Sequence, residues 1–190
     1  MPTSHKAKPG QVYAPFYLAI EFPDGRLFET YTKDMRGVNL DGGIMTFEDF
    51  TGVNLASASL RGVNAHATIF HGAYMHSADF TGADMSSARM ERAILSESIF
   101  DNADFSYARF HGADLNGVQA TGADLSPAVF AGALCSWLRL HDCDLSFCDF
   151  SGARVSYSRL WGCDLQGTDL KANGADTYGI DIRNSTNGGN

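Results

Sequence analysis

The chain has 190 residues and a formal net charge of −8, from 22 acidic and 14 basic side chains. A hydrophobic content of 44% is sufficient for a folded core, so we expect one folded domain. The acidic balance argues against direct binding to nucleic-acid phosphates or to an anionic membrane. No apolar run reaches the roughly 18 residues of a membrane-spanning helix, and residues 1–10 are too polar for a signal peptide. Four cysteines without a CxxC pair are typical of a reducing compartment. We therefore expect a cytoplasmic protein, or a virion protein if a phage encodes it.

The first two predicted segments are an extended arm at residues 1–14 and a β-hairpin at residues 15–34. Two apolar stretches, 16–22 and 26–31, flank Pro23, Asp24 and Gly25. Proline sets the first dihedral angle of a turn and glycine accepts a positive φ, so this pattern is typical of a hairpin. We expect the hairpin to cover the open N-terminal edge of the segment that follows, because an uncovered strand edge invites aggregation.

A period of five residues dominates the third segment, residues 35–182. Every fifth residue from Leu40 to Leu170 is apolar, 27 positions in all, and the residue two places earlier is nearly always small, with Glu48 and Leu138 larger than Val. An α-helix advances about 100° per residue and would spread this set over all its sides. A flat strand would alternate it between two faces. A chain that turns a corner every five residues places both positions inside and stacks its coils as parallel strands, which predicts a β-solenoid.

Glycine and the C-terminal composition mark the corners and the end of this solenoid. Glycine recurs two places after every second centre, as at Gly62, Gly72 and Gly82, which predicts left-handed backbone at every second corner. The pattern fades after Leu170 through Ala175 and Ile180. Residues 183–190 are rich in Gly, Asn, Ser and Thr and are predicted to form a flexible tail.

These units resemble the pentapeptide-repeat family, written A(D/N)LXX, over about residues 38–172. The clearest matches are Ala83-Asp84-Met85, Ala103-Asp104-Phe105, Ala113-Asp114-Leu115 and Ala123-Asp124-Leu125. The resemblance implies an all-β fold: a right-handed quadrilateral parallel β-helix (β-solenoid) with four pentapeptides per coil. Twenty-seven units then make about seven coils, preceded by the hairpin cap.

Function is expected on the outward columns, where residues 20 apart stack. One column collects five carboxylates, at Asp84, Asp104, Asp124, Asp144 and Asp164. Like charges about 4.8 Å apart repel by roughly 1 kcal/mol per pair in water, so this acidic column opposes folding unless it finds hydrogen bonds. Two interpretations remain open. Each Asp bonds its own turn backbone, or the column is an acidic docking face or a mimic of a nucleic-acid backbone.

A second group of candidate residues lies near the C-terminal coils. It is a candidate partner patch of aromatic and basic residues, the types that anchor interfaces: Trp137, Arg139, His141, Tyr157, Arg159 and Trp161. These side chains either cover the end of the solenoid or bind a protein partner. Stacking on nucleic-acid bases is disfavoured by the acidic column beside them.

No catalytic, cofactor or metal site is predicted. His66, His71 and His76 follow three successive centres, so they point from different faces and cannot converge on a metal. Cys143 and Cys163 stack one coil apart at an inward position, which indicates core residues, although the distance alone would allow a disulfide.

The predicted function is a non-catalytic structural or protein-interaction module, a rigid rod that docks onto protein partners of unknown identity. A homo-oligomer or a subunit of a larger assembly, such as a phage particle, fits this class. The alternative follows from the resemblance: some family members are acidic DNA mimics that bind DNA gyrase or another type II topoisomerase and give quinolone resistance. The amphipathic C-terminal helix through which such proteins dimerise has no counterpart in the predicted elements, and the arginines of the other columns also depart from that group.

Overall fold

The computed structural model describes residues 16–171 and 174–186, so the predicted arm at residues 1–14 lies outside the described residues. The chain first forms an antiparallel hairpin of β1 (Leu18–Glu21) and β2 (Leu27–Thr30), in which Leu18 pairs with Thr30 and Glu21 with Leu27. The Phe22 N–H donates to the Arg26 carbonyl at 2.9 Å, and Gly25 adopts a φ of 83°. The Pro-Asp-Gly segment therefore closes a turn of the kind that its residue types favour.

The hairpin is attached to the first coil through β1. The Ile44 N–H donates to the Glu21 carbonyl at 2.7 Å, and Ile20 is fully buried. Gly43 lies beneath this contact: a Cβ added there would lie 2.9 Å from Ile20 Cγ2 and 2.9 Å from the Leu40 carbonyl oxygen. Glycine is needed at this inward position because the hairpin fills the space that a side chain would take.

Parallel bridges then link residues 20 apart throughout the repeat. They run from Asp34–Asn54 to Asp144–Asp164, one bridge for every five residues. Three rungs are long enough to be strands: β3 (Gln119–Thr121), β4 (Arg139–His141) and β5 (Arg159–Trp161), paired in the order β3–β4–β5. No α-helix occurs in residues 16–171 and 174–186, and no helix there could span a membrane. The repeat is a β-helix; its handedness, four-sided cross-section and number of coils stay predictions.

The core of the β-helix consists of the residues that the five-residue period selects. All 27 centres from Leu40 to Leu170 are buried. Some rings one coil apart stack face to face, as Phe110 on Phe130 at 5.0 Å and Phe130 on Phe150 at 4.6 Å between ring centroids, whereas Phe80 and Phe100 meet edge-on at 5.5 Å. Because these side chains fill the interior, the exposed aromatic and basic groups lie on the outward columns and at the corners.

Left-handed backbone occurs at the corners where it is predicted and also at the corners between them. The residue two places after each centre has a positive φ at every corner from Gly37 to Gly167 except Pro127. Between the glycines these corners hold other residues, including Ser57 at 57° and Phe47 at 62°. Nearly every five-residue turn thus adopts this conformation, and glycine occupies only some of these corners.

The C-terminal segment differs from the repeat in its spacing. After Leu170 the bridges link residues 22 apart: Arg154–Asp176, Arg159–Asp181 and Asp164–Thr186. The bridges thus continue two places out of phase with the earlier centres, but no residue of 174–186 is buried, so the apolar pattern fades as predicted. Within the predicted tail at residues 183–190, Thr186 donates its N–H to the Cys163 carbonyl at 3.0 Å. Residues 187–190 lie outside the described residues.

Candidate interaction surfaces

The acidic column is bonded to its own turns. In each unit one carboxylate oxygen accepts the backbone N–H two residues later, at 2.8–3.0 Å, in Asp84, Asp104, Asp124, Asp144 and Asp164. Aspartates of other columns make the same bond, for example Asp114 to the Asn116 N–H at 3.0 Å. The local turn therefore explains why Asp occupies these positions, and it uses one oxygen of each carboxylate.

The C-terminal end of the acidic column is joined to the last rung. The Thr186 hydroxyl donates to Asp164 Oδ1 at 2.7 Å. This hydrogen bond, with the backbone N–H of Gln166, holds the pKa of Asp164 below its usual value. Asp164 is therefore the member of the column that the C-terminal segment ties down.

The candidate partner patch consists of two parts. The first is an aromatic column at a corner, formed by Trp137, Tyr157 and Tyr178. The Trp137 and Tyr157 rings stack at 4.6 Å with 10° between their planes, and Tyr178 meets Tyr157 edge-on at 5.4 Å. A Cβ added at Gly179 would lie 3.0 Å from Tyr157 Cδ1, so the glycine leaves room for the tyrosine ring. The result is a continuous strip of three rings.

The second part is an open groove of about 310 Å³ on the sheet formed by β3, β4 and β5. Arg139, His141, Arg159 and Trp161 line it. His141 meets Trp161 edge-on at 6.3 Å, and the Arg159 guanidinium lies 5.5 Å from the centre of the Trp161 ring. The structure thus brings these four residues together on neighbouring rungs, beside the aromatic column.

Sequence reasoning missed two residues of this region, Tyr178 and Arg183. The Arg183 guanidinium carbon lies 4.8 Å from the centre of the Trp161 ring, and Arg183 pairs with Asp181 at 2.7 Å. The arginine lowers the pKa of Asp181, chiefly by hydrogen bonding. Both residues lie after Leu170, where the bridged residues are 22 apart instead of 20. A strict 20-residue spacing therefore could not find them. The Asp176-Thr177-Tyr178 stretch, read as a unit shifted by two, was the available signal.

A second pair of stacked arginines lies in another outward column. Arg89 and Arg109 flank Glu91, whose Oε1 lies 3.7 Å from Arg89 Nε and 3.2 Å from Arg109 Nε. The Glu91 side chain is 14% exposed. One carboxylate thus bridges both guanidinium groups, which makes this cluster a compensated structural feature.

The four cysteines are free thiols buried in the core. Cys143 and Cys163 are neighbours across adjacent rungs, and each Sγ donates to a backbone carbonyl of the preceding coil at 3.7 Å. A hydrogen bond with the Cys143 thiol, together with burial, raises the pKa of the Cys163 thiol well above its usual range. They are packed as core residues, and the disulfide that the spacing would allow is not formed.

Comparisons with known proteins agree with this architecture. A family model described as pentapeptide repeats matches in 8 copies, over residues 34–72, 49–86, 83–119, 108–146 and 148–172. A search of curated protein sequences finds no match.

Several solved structures are similar to the chain. Full-length QnrB1, a plasmid-mediated fluoroquinolone resistance protein, aligns with a TM-score of 0.44 and 16% identity, covering 78% of this chain and 93% of that one. HetL, a pentapeptide repeat protein involved in heterocyst differentiation regulation in the cyanobacterium Nostoc, aligns with a TM-score of 0.32 and 23% identity, covering 80% and 88%. Rfr23 from the cyanobacterium Cyanothece aligns with a TM-score of 0.34 and 17% identity, covering 80% and 90%. Since the family model spans most of residues 34–172, where the bridged repeat lies, the chain belongs to the pentapeptide-repeat family.

Proposed function

We propose that the protein is a non-catalytic interaction module whose rigid β-helix presents a protein-binding surface near its C-terminal end. The observation that carries the proposal is the aromatic column. Its three rings are contiguous and well exposed: 57% for Trp137, 47% for Tyr157 and 71% for Tyr178. Contiguous exposed apolar surface of this kind marks protein-interaction sites, and Trp and Tyr dominate the binding energy of many interfaces.

The column costs stability where it stands. Trp137 and Tyr157 have φ values of 62° and 59°. A bulky side chain in left-handed backbone costs on the order of 1–3 kcal/mol, and glycine would remove that cost. The exposed rings recover little hydrophobic stabilisation, because much of their surface stays in water. Folding alone therefore does not account for these residues, and their stacking with Tyr178 into one continuous strip supports a role in binding.

A site-specific photocrosslinker at position 178 tests the proposal in the tagged full-length chain, expressed in the native host. A matched crosslinker at position 47 is the control, because Phe47 is 73% exposed with a φ of 62° but belongs to a different corner column. We expect a discrete protein to crosslink from position 178 and none from position 47. Trp137→Ala should lower the yield at least tenfold, the loss of about 1.4 kcal/mol or more that a hot spot carries. Phe47→Ala should leave it unchanged.

Two results would contradict the proposal. Equal crosslinking from positions 47 and 178 would show non-specific contact, and an unchanged yield in Trp137→Ala would remove the aromatic column from the binding surface. The mass of the crosslinked protein distinguishes a second copy of the chain from a subunit of a larger assembly. Thermal melts of both alanine variants control for unfolding.

A second candidate function is that of an acidic DNA mimic that binds DNA gyrase or another type II topoisomerase. The observation that favours it is the acidic column itself. Five carboxylates follow one another at single-coil spacing, and turn bonding engages Oδ1 in each of them. The series of remaining oxygens is a regular row of negative charge, as a nucleic-acid backbone is. Its test concerns the whole rod and is given in the Discussion.

A further inference from the structure

We propose that the groove on β3–β5 recognises a pair of carboxylates on an acidic helical segment of the protein partner, through Arg139 and Arg159. The inference rests on the proposed function and specifies the chemistry of the partner. Arg139 and Arg159 are directly paired neighbours in the β4–β5 ladder, and both side chains are exposed. Neighbouring rungs are about 4.8 Å apart, so the two guanidinium groups extend from the same face at close spacing.

This arginine pair lacks the compensation that the other pair has. Glu91 lies within 4 Å of both Arg89 and Arg109. No ion pair joins Arg139 or Arg159 to any carboxylate of residues 16–171 and 174–186. Two like charges in that arrangement repel each other. In a chain of net charge −8, an uncompensated positive pair is a local exception.

The acidic groups nearest the groove are already engaged. Asp181 follows Arg159 in the same outward column, but both of its oxygens accept from Arg183, at 2.7–3.0 Å. Asp142 pairs with His141 at 2.9 Å. Asp101 lines the far end of the groove, two coils before His141, and accepts the Thr121 N–H at 2.8 Å. The positive pair is thus left for an external anion.

The spacing of the pair indicates the form of the ligand. Side chains at positions i and i+4 of an α-helix lie about 5–6 Å apart, close to the roughly 4.8 Å between rungs. Alternate residues of an extended strand lie about 6.6–6.8 Å apart and match less well. A helix lying along the axis of the β-helix would therefore place two carboxylates over Arg139 and Arg159. Its adjoining apolar side chains would reach Trp161 and the aromatic column.

Nuclear magnetic resonance of the full-length chain tests this with a defined probe. The probe is a capped Ala-rich helical peptide with Glu at i and i+4, and the matched control peptide carries Gln at both positions. We expect the Glu peptide to shift the Nε–H signals of Arg139 and Arg159 and the indole N–H of Trp161, and to leave Arg89 and Arg109 unmoved. The double variant Arg139→Gln/Arg159→Gln should weaken binding at least tenfold, and the matched variant Arg89→Gln/Arg109→Gln should not. Rising salt should weaken binding as well.

Each alternative outcome overturns the inference in a recognisable way. Equal binding of the Gln peptide would show that the groove binds the apolar surface of the peptide and does not recognise its carboxylates. Equal shifts at Arg89 and Arg109 would show unspecific charge pairing, and a stronger response to inorganic phosphate than to the Glu peptide would assign the pair to phosphate. If the Glu peptide leaves the arginines unmoved while crosslinking from position 178 still requires Trp137, the carboxylate inference fails and the proposed function stands. If the Glu peptide binds at Arg139 and Arg159 but crosslinking from position 178 fails, the carboxylate site stands and the proposed function fails.

Discussion

Glu48 shows at the level of one residue how strictly the interior selects its side chains. It occupies an inward position that elsewhere holds uncharged residues, mostly Ala, Val, Ser, Thr or Cys, and it is half-buried in the first coils. Burial raises the pKa of Glu48 above its ordinary value of 4.5, because the charged form loses hydration. The folded chain therefore binds this proton more tightly than the unfolded chain does, and stability from this group falls as pH rises through the raised pKa.

Glu48→Gln should accordingly raise the free energy of unfolding at pH 7 by less than about 1 kcal/mol, since solvent still screens the half-exposed carboxylate. The advantage should shrink as the pH falls below the ordinary pKa of 4.5 and vanish at about pH 3, where Glu48 is protonated in both states. Urea melts of both proteins at the two pH values measure the difference. Aspartates with a lowered pKa, such as Asp49, lose their contribution to folding stability in acid. Because this loss is the same in both proteins, it cancels in the difference between them. An advantage of equal size at both pH values would contradict the assignment.

At the level of elements, the hairpin is held to the β-helix by a close approach rather than by charge. Gly43 occupies the inward position where the next coil has Val63, and Ile20 lies where its side chain would be. The sequence predicts both the hairpin and the repeat, but the repeat pattern alone does not explain why this inward position is empty. That reason appears only when β1 and the first coil are placed together.

Gly43→Ala should therefore destabilise the chain by about 1–3 kcal/mol, because the added Cβ overpacks the joint between hairpin and coil. Ile20→Ala removes one of the two groups that the new Cβ meets, so Gly43→Ala should cost less in that background. A double-mutant cycle of urea melts measures the coupling. Strictly additive costs would show that the two residues do not share the space.

For the whole molecule, the decisive question is whether the rod acts through its acidic column. Asp104→Asn plus Asp124→Asn removes two charges but keeps the Oδ1 acceptors for the Ser106 and Ser126 N–H groups. The fold should therefore keep its stability within about 0.5 kcal/mol. If the rod mimics DNA, this double variant should lose inhibition of gyrase supercoiling. Asp114→Asn plus Asp149→Asn is the matched control, because these residues make the same turn bond in other columns. Inhibition that survives in the first variant would rule out mimicry by the acidic column.

The sequence by itself determined the interior of this protein. A five-residue period specifies which side chains turn inward at every unit, because a solenoid repeats one local geometry and each coil contacts mainly its neighbours. The positions of Asp84 to Asp164 in one column, and of Arg139 above Arg159, follow from the same arithmetic. The turn residues 23–25 were likewise sufficient to predict the hairpin.

The tertiary structure decided what lies where the period changes and how the surface charges pair. Beyond Leu170 the spacing becomes 22 residues, which brings Tyr178 onto Tyr157 and Arg183 onto Trp161. Only the folded structure also shows that Glu91 compensates Arg89 and Arg109, whereas the arginine pair in the groove has no carboxylate partner among the described residues. A repeat pattern predicts in which outward column a residue lies, because the backbone geometry is periodic. The partner of a long side chain depends on rotamers and neighbouring columns, which only the folded coil brings together.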